Sequence, residues 1–304
     1  MSKENCNKRE EGFQKKMKKI KVIARFLMAF ILTISIVCFV LIYILSNTFL
    51  SEKYILSSLK KADYYNKIYE SVESNFEKYI QQSGLDEEVI KNIVKKEQVE
   101  QDTKRIVVSI FDGLHEEIST KEIEQNLKNN IAKSVNIDSL GTEEKKAIDD
   151  FIQQICQEYK TTISNSNYEV QIHSGYKKVM NLVNIFKKIT SITIGVCIII
   201  LCLLSLRRPY KIITNIAISF VASGLVLTIV NIYINTKIKV QYISILNDII
   251  SSVVRNIATD ILANILKYGI LLLVGGLILS IISNYVHNTT KYKSLMYDDA
   301  SKEK

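Results

Sequence analysis

The sequence predicts an all-α membrane protein in which four transmembrane helices carry a helical-bundle extracytoplasmic domain, inserted between the first and second spans. Three observations lead there. Four long apolar stretches contain no Asp, Glu, Lys, Arg or His. The polar stretch between the first two contains no proline and repeats its apolar residues at helical steps. Strand-like alternation is sustained nowhere. A chain that is 47% hydrophobic and 23% charged must segregate these two characters along its length, and this one does.

Residues 1–25 are a basic, cytoplasmic N-terminus with nine Lys/Arg against three acids. Lys15, Lys16, Lys18, Lys19, Lys21 and Arg25 lead into the first span, 26–46. That run is longer than a signal-peptide core of about 7–15 residues, and no small-x-small cleavage site comes after it, so it reads as an uncleaved signal anchor. The basic cluster also suits anionic headgroups, at roughly 1 kcal/mol per basic residue near the surface.

Residues 47–188 form the helical extracytoplasmic domain, long enough to own a core. Ile55, Leu59, Ala62, Tyr65, Tyr69, Val72, Phe76 and Tyr79 recur at steps of three and four, predicting one long amphipathic helix. Val89, Ile90, Ile93 and Val94 begin a second, which Val99, Ile106, Val107, Ile110 and Phe111 continue or restart. Ser119 and Glu122 have capping-box spacing ahead of Ile123, Leu127, Ile131 and Val135. Thr142, Glu143 and Glu144 put acids at the positive end of a helix carrying Ile148, Phe151, Ile152, Ile155 and Tyr159. Gly84, Gly113, Gly141 and Gly175 are expected where helices end. From Tyr168 the chain runs without a strong breaker into the second span, so the first and last helices of the domain are expected to be continuous with the spans.

The second span, 189–206, meets the third, 212–234, through residues 207–211, a cytoplasmic turn that holds the only proline of the chain, Pro209. Arg207, Arg208 and Lys211 surround it. An extracytoplasmic amphipathic helix within 235–267 comes next, with Ile243, Leu246, Ile250, Val253, Ile257 and Ile261 on one stripe; such a helix can lie at the outer membrane interface or pack beneath the larger domain, and its few, balanced charges favour packing. The fourth span is 268–286 and the cytoplasmic tail 287–304. Each span approaches or exceeds the length of about 20 apolar residues that a bilayer core requires. Lys and Arg near spans stay in the cytoplasm. The basic N-terminus and turn therefore place both termini inside and residues 47–188 outside the cell membrane. The pI of about 9.1 reflects this orientation, not nucleic-acid binding. Asn47-Thr48 before Tyr54-Ile55 and Asn235-Thr236 before Tyr242-Ile243 hint at two span-helix-span units.

No residue pattern predicts chemistry. His115, His173 and His287 are far apart, without zinc spacing. Adjacent acids (Glu87-Glu88, Glu116-Glu117, Glu143-Glu144, Asp149-Asp150) point in different directions on a helix and read as solvated faces. No GxSxG elbow or phosphate-binding loop occurs. Spans free of ionisable residues argue against an ion-coupled pump. Asn215, Ser219, Ser223 and Asn231, with the small pairs Ser191/Gly195, Ser219/Ser223 and Gly276/Ser280, suit helix association. Cys6, Cys38, Cys197 and Cys202 lie before or within spans, and Cys156 alone lies outside, so the cysteines read as packing residues without a disulfide framework. No catalytic residue, cofactor or metal is expected. Tyr54, Tyr64, Tyr65, Tyr69 and Tyr79 crowd one helix and form the candidate partner surface, because rigid aromatic area favours interfaces.

Asn47-Thr48-Phe49-Leu50, Tyr54, Leu85, Val89-Ile90 and the stretch from Val99 to Phe111 together resemble poorly characterised Gram-positive multi-pass membrane proteins with a helical extracytoplasmic segment. In topology alone the chain is similar to mechanotransmitting ABC membrane subunits, but the five residues 207–211 are short for a coupling helix. The chain therefore reads as a non-enzymatic integral membrane protein, bacterial by composition, that presents a helical domain for envelope interaction, scaffolding or sensing. Its expected partners are the lipid bilayer and an envelope protein or a second copy of the chain. The alternative is a membrane subunit or accessory of a transporter.

Overall fold

The computed structural model describes residues 3–114, 116–136, 140–164, 166–206, 210–237, 240–242 and 248–302, with side-chain surroundings for these except at 3–15, 18, 166–172, 241, 248 and 290–302. His115, Ile243, Leu246, Arg207, Arg208 and Pro209 therefore lie outside the described residues, and so do the side chains of Lys15 and Lys18. Among the described residues there is no strand. The helices are α1 (Lys3–Asn47), α2 (Glu52–Lys61), α3 (Tyr64–Ser83), α4 (Lys96–Asp112), α5 (Lys121–Ser134), α6 (Thr142–Ile163), α7 (Ser166–Ser205), α8 (Tyr210–Lys237) and α9 (Asp248–Lys302). Four stretches, Lys19–Asn47, His173–Ser205, Tyr210–Lys237 and Ile249–Thr289, are long and apolar enough to cross a membrane, which is consistent with a multi-pass membrane protein.

The chain divides into two compact units. One, the helical unit, comprises Asn47–Asn181 and Gln241–Ala258; the other, the spanning unit, comprises Met1–Ser46, Leu182–Val240 and Thr259–Lys304.

In the helical unit the single long helix expected from Ile55 to Tyr79 is broken in two. Ser51 caps α2 by accepting from the Tyr54 amide, and Asp63 then adopts the left-handed conformation at φ 55° before α3 begins. Asp63 tolerates that geometry because a short polar side chain can bond locally, and its carboxylate accepts from the Asn66 amide. The stripe survives the break, since Tyr65, Ile68, Val72, Phe76 and Ile80 are all buried on α3. The expected continuity of the first span with α2 is also absent, because α1 stops at Asn47 and α2 starts afresh at Glu52. At the other end α7 does run as one helix from Ser166 to Ser205.

Gly84 and Gly113 end α3 and α4 with φ of 71° and 73°, as expected. Gly141 instead precedes α6, its N–H donating to Glu144 Oε2 at 2.8 Å, and Gly175 lies inside α7. The second helix does not begin at Val89. A 3-10 turn covers Glu87–Ile90 and α4 starts at Lys96, while Val89, Ile93 and Val94 are buried in the connection. Side chains of α5 hold this connection: Asn130 Nδ2 donates to the carbonyls of Val89 and Lys91 at 3.2 and 3.1 Å, and Asn126 Nδ2 to that of Ile93 at 3.2 Å. The Ser119–Glu122 capping box does not form, since Thr120 stands at the N-cap and its side chain makes no capping bond.

The resulting core joins Val72, Phe76, Val89, Val99, Ile123, Leu127, Ile131, Ile155 and Tyr159 with their neighbours. Each large side chain fully buried there contributes about 1.5–3 kcal/mol. Ile249, at the start of α9, packs against the same core, and Lys67 Nζ donates to Ser252 Oγ at 3.3 Å. The short amphipathic segment is thus packed, and it is the first part of the helix that carries the fourth span.

In the spanning unit α8 is the helix that touches both α1 and α9 through polar and small residues. Ser219 Oγ donates to the Ala29 carbonyl at 2.9 Å and Ser223 Oγ to that of Thr33 at 3.1 Å. Towards α9, Asn231 Nδ2 donates to the Leu262 carbonyl at 2.6 Å, and Thr214 and Ser283 share a hydroxyl bond at 2.7 Å. Close packing without a hydrophobic driving force favours such contacts in lipid. A Cβ at Gly224 would stand 2.7 Å from the Gly269 carbonyl, and one at Gly276 2.6 Å from Val221 Cγ2. Of the small pairs, Ser219/Ser223 is buried. Gly276 packs, though Ser280 is exposed, and Ser191/Gly195 meets nothing, with open space around Gly195.

Candidate functional site

The five tyrosines are not presented as a free aromatic row. Tyr65 is buried at 5% exposure, and the other four are half-buried. Tyr64, Tyr69 and Tyr79 pack against the core of the helical unit, and Tyr64 meets Tyr65 edge-to-face with ring centroids 6.2 Å apart. Their hydroxyls are turned inward or already engaged, and Tyr65 Oη is buried and meets no partner among the described residues. Tyr69 donates to Glu73, and Tyr79 donates to Glu158 Oε2 at 3.3 Å while Asn75 Nδ2 donates to Glu158 Oε1 at 2.8 Å. Lys104 Nζ lies 5.5 Å from the centre of the Tyr65 ring and pairs with Glu100.

These surroundings hold the phenols neutral. Burial, then the charges of Glu100 and Tyr64, push Tyr65 up to about 12; the bond to Glu73, then burial, push Tyr69 up to about 12. Ordinary tyrosine ionises near 10. A phenol whose folded value is raised contributes stability that is complete below the unfolded value and is lost as pH rises through the folded one. Stability of the detergent-solubilised chain is therefore expected to fall between about pH 10 and 12. Tyr65→Phe and Tyr69→Phe should flatten that fall; an unchanged alkaline profile followed by circular dichroism would contradict the assignment.

A buried side-chain contact of the unit joins two residues that no sequence pattern links. Tyr159 Oη donates to Asp102 Oδ2 at 2.7 Å, with Asp102 only 7% exposed. Burial raises the Asp102 carboxyl, while the Tyr159 bond and Arg105 at 3.7 Å pull it down in part. Burial chiefly, and then Asp102, raise the Tyr159 phenol as well.

His173 places Nδ1 2.7 Å from the Ile110 carbonyl, and its ring lies where a Cβ on Gly113 would have to go. Three residues on, Tyr176 donates to the Leu50 carbonyl at 3.4 Å and meets Phe111 edge-to-face at 4.8 Å. His173 is thus a docking residue of α7. His287 meets the Tyr210 ring at a tilt of 46°, with centroids 4.3 Å apart.

Cys156 is buried beside an open cleft between α5 and α6 of about 730 Å³, lined by Glu124, Lys128, Asp149, Asp150 and Lys160 among others. Burial raises its thiol, the opposite of an activated nucleophile. Glu88 pairs with Lys91 at 2.8 Å and Glu144 caps α6, so these members of the adjacent acid pairs have structural partners. Among the described residues no three His, Cys, Asp or Glu side chains converge as a metal site would require. Comparison with protein-family models, with curated proteins and with solved structures finds no match.

Proposed function

We propose that the chain is a non-enzymatic integral protein of the cell membrane that presents its helical unit outside the cell for envelope interaction, scaffolding or sensing. The observation that carries this reading is the closed core of the helical unit. Its apolar stripes bury one another, so the unit stands as a domain of its own and its charged faces are left for partners. The outward orientation is supported by the charges: nine Lys/Arg before the first span and three at residues 207–211 mark the cytoplasmic side. A role as a motor-driven subunit is disfavoured by the connection between α7 and α8, which spans only residues 206–209.

A membrane-impermeant crosslinker applied to intact cells tests the reading. The expected products join the chain to envelope proteins or to a second copy of itself. Capture of an ATPase that depends on the basic residues at 15–25 would replace it with the transporter reading.

A further inference from the structure

We propose that the basic end of the α1–α8 seam binds the phosphate headgroup of an anionic phospholipid, held by Arg25 and Asn215. The two helices run parallel in a fixed register. Ser219 bonds the Ala29 carbonyl and Ser223, four residues on, bonds the Thr33 carbonyl, also four on. One turn earlier on each helix, the same register sets Asn215 opposite Arg25. Asn215, Ser219 and Ser223 share one helix face, because residues four apart lie above one another.

At this position the hydrogen bonding is incomplete. Asn215 Nδ2 is buried and meets no partner among the described residues, although the backbone carbonyl of Asn215 accepts from Ser219 Oγ at 3.0 Å. Arg25 uses Nε on the Lys21 carbonyl at 3.2 Å, and no carboxylate pairs with it among the described residues. A buried donor without an acceptor is costly in a bilayer, and native structures rarely leave one unfilled. Among the described residues of the spanning unit, Ser205 Oγ is likewise buried without a partner, on the last residue of α7 at the same end. Elsewhere on α8 the side-chain amides are engaged, Asn231 donating to the Leu262 carbonyl of α9 and Asn235 to Asn231.

The surroundings match a lipid in particular. Arg25 is the last charged residue before the first apolar run, so the vacant donor lies at headgroup depth. Val22, Phe26 and Ile218, one helical step to the side, are 59%, 76% and 55% exposed and offer apolar surface for acyl chains. Lys16, Lys19 and Lys21 are exposed on the preceding turns and add positive charge. A guanidinium and an amide N–H are both donors to phosphate oxygen, and basic pockets between spans on the cytoplasmic side suit anionic headgroups.

The inference rests on the reading that α1 and α8 span a bilayer, and that reading is checked separately, by recovery of the chain in the membrane fraction and its need for detergent. The solubilised full chain is then titrated with short-chain phosphatidylglycerol, phosphatidylcholine or inorganic phosphate, and its thermal unfolding is followed. Saturable stabilisation by phosphatidylglycerol alone is expected. R25Q and N215L should each weaken the apparent affinity about tenfold, whereas K16Q, one charge fewer on the same helix, should change it less than about twofold. Arg25→Lys and Asn215→Ser serve as milder variants should either of the first two fail to fold. Equal stabilisation by phosphatidylcholine would overturn the site, as would a response to free phosphate alone. The same holds if K16Q is as damaging as R25Q, which would reduce the effect to diffuse attraction.

Discussion

Gly224→Leu is expected to break the packing of α8 on α9, at the upper end of the roughly 1–3 kcal/mol range for overpacking. Even the first added carbon would meet the Gly269 carbonyl at 2.7 Å and the Leu273 backbone nitrogen at 2.8 Å. Neither can rotate away, as a side chain could, so the two helices would have to separate. Separation would also strain the Asn231–Leu262 bond further along the same seam. Gly195→Leu is the matched control, since nothing lies within 4 Å of that position. Unfolding in a graded mixture of mild and denaturing detergent should show the Gly224 variant lost early and the Gly195 variant unchanged. The reverse order would mean that α7, not α8, carries the tight seam.

The second large effect is expected at Tyr159, which is fully buried in the helical unit. Tyr159→Ala should cost about 3–5 kcal/mol, by analogy with other buried aromatic truncations. Tyr159→Phe keeps the packing but leaves Asp102 buried without its donor, a loss of about 1–3 kcal/mol. The pH dependence separates the two causes. Removing the phenol removes a group that lowers the Asp102 carboxyl, so its folded value rises further above that of the unfolded chain. A carboxyl raised in this way favours folding below its unfolded value, and the contribution is lost as pH rises through the folded value. The Tyr159→Phe defect should therefore shrink on acidification, and the Tyr159→Ala defect should keep its cavity contribution at any pH. Adding Asp102→Ala to Tyr159→Phe should recover part of the loss, because two partners removed together leave no orphan. Strict additivity of the two changes in a denaturation series would contradict the pairing.

The spans were legible because a bilayer demands length and apolarity, which are local properties of sequence. The stripe on α3 was legible for the same reason, as were the ends of α3 and α4 at Gly84 and Gly113. The break at Asp63 was not, since neither glycine nor proline marks it. Its only local trace is the Asn three residues on, which bonds the aspartate once the break has formed. Gly141 misled because glycine also serves as an N-cap, and Gly175 because a helix tolerates one glycine at a modest loss. The small-residue rule found Ser219 and Ser223 but passed over Gly224 and Gly269, which pair across two helices and have no fixed spacing. Asp102 and Tyr159 escaped for that reason too: 57 residues separate them, and only tertiary packing brings them together. The tyrosines of α2 and α3 show how density in sequence differs from presentation. Helical periodicity carries most of them to the core, and the hydroxyls of Tyr69 and Tyr79 are taken up by Glu73 and Glu158.

In the proposed orientation the helical unit faces outward and the basic N-terminus faces the cytoplasm. Cysteine accessibility tests it most directly, in a chain whose five native cysteines have been replaced. Lys91→Cys and Glu143→Cys, at exposed positions of the helical unit, should react with a membrane-impermeant maleimide in intact cells. Lys16→Cys should react only once the membrane is permeabilised. Labelling of Lys16→Cys in intact cells, with Lys91→Cys and Glu143→Cys protected until permeabilisation, would invert the topology and place the helical unit inside the cell.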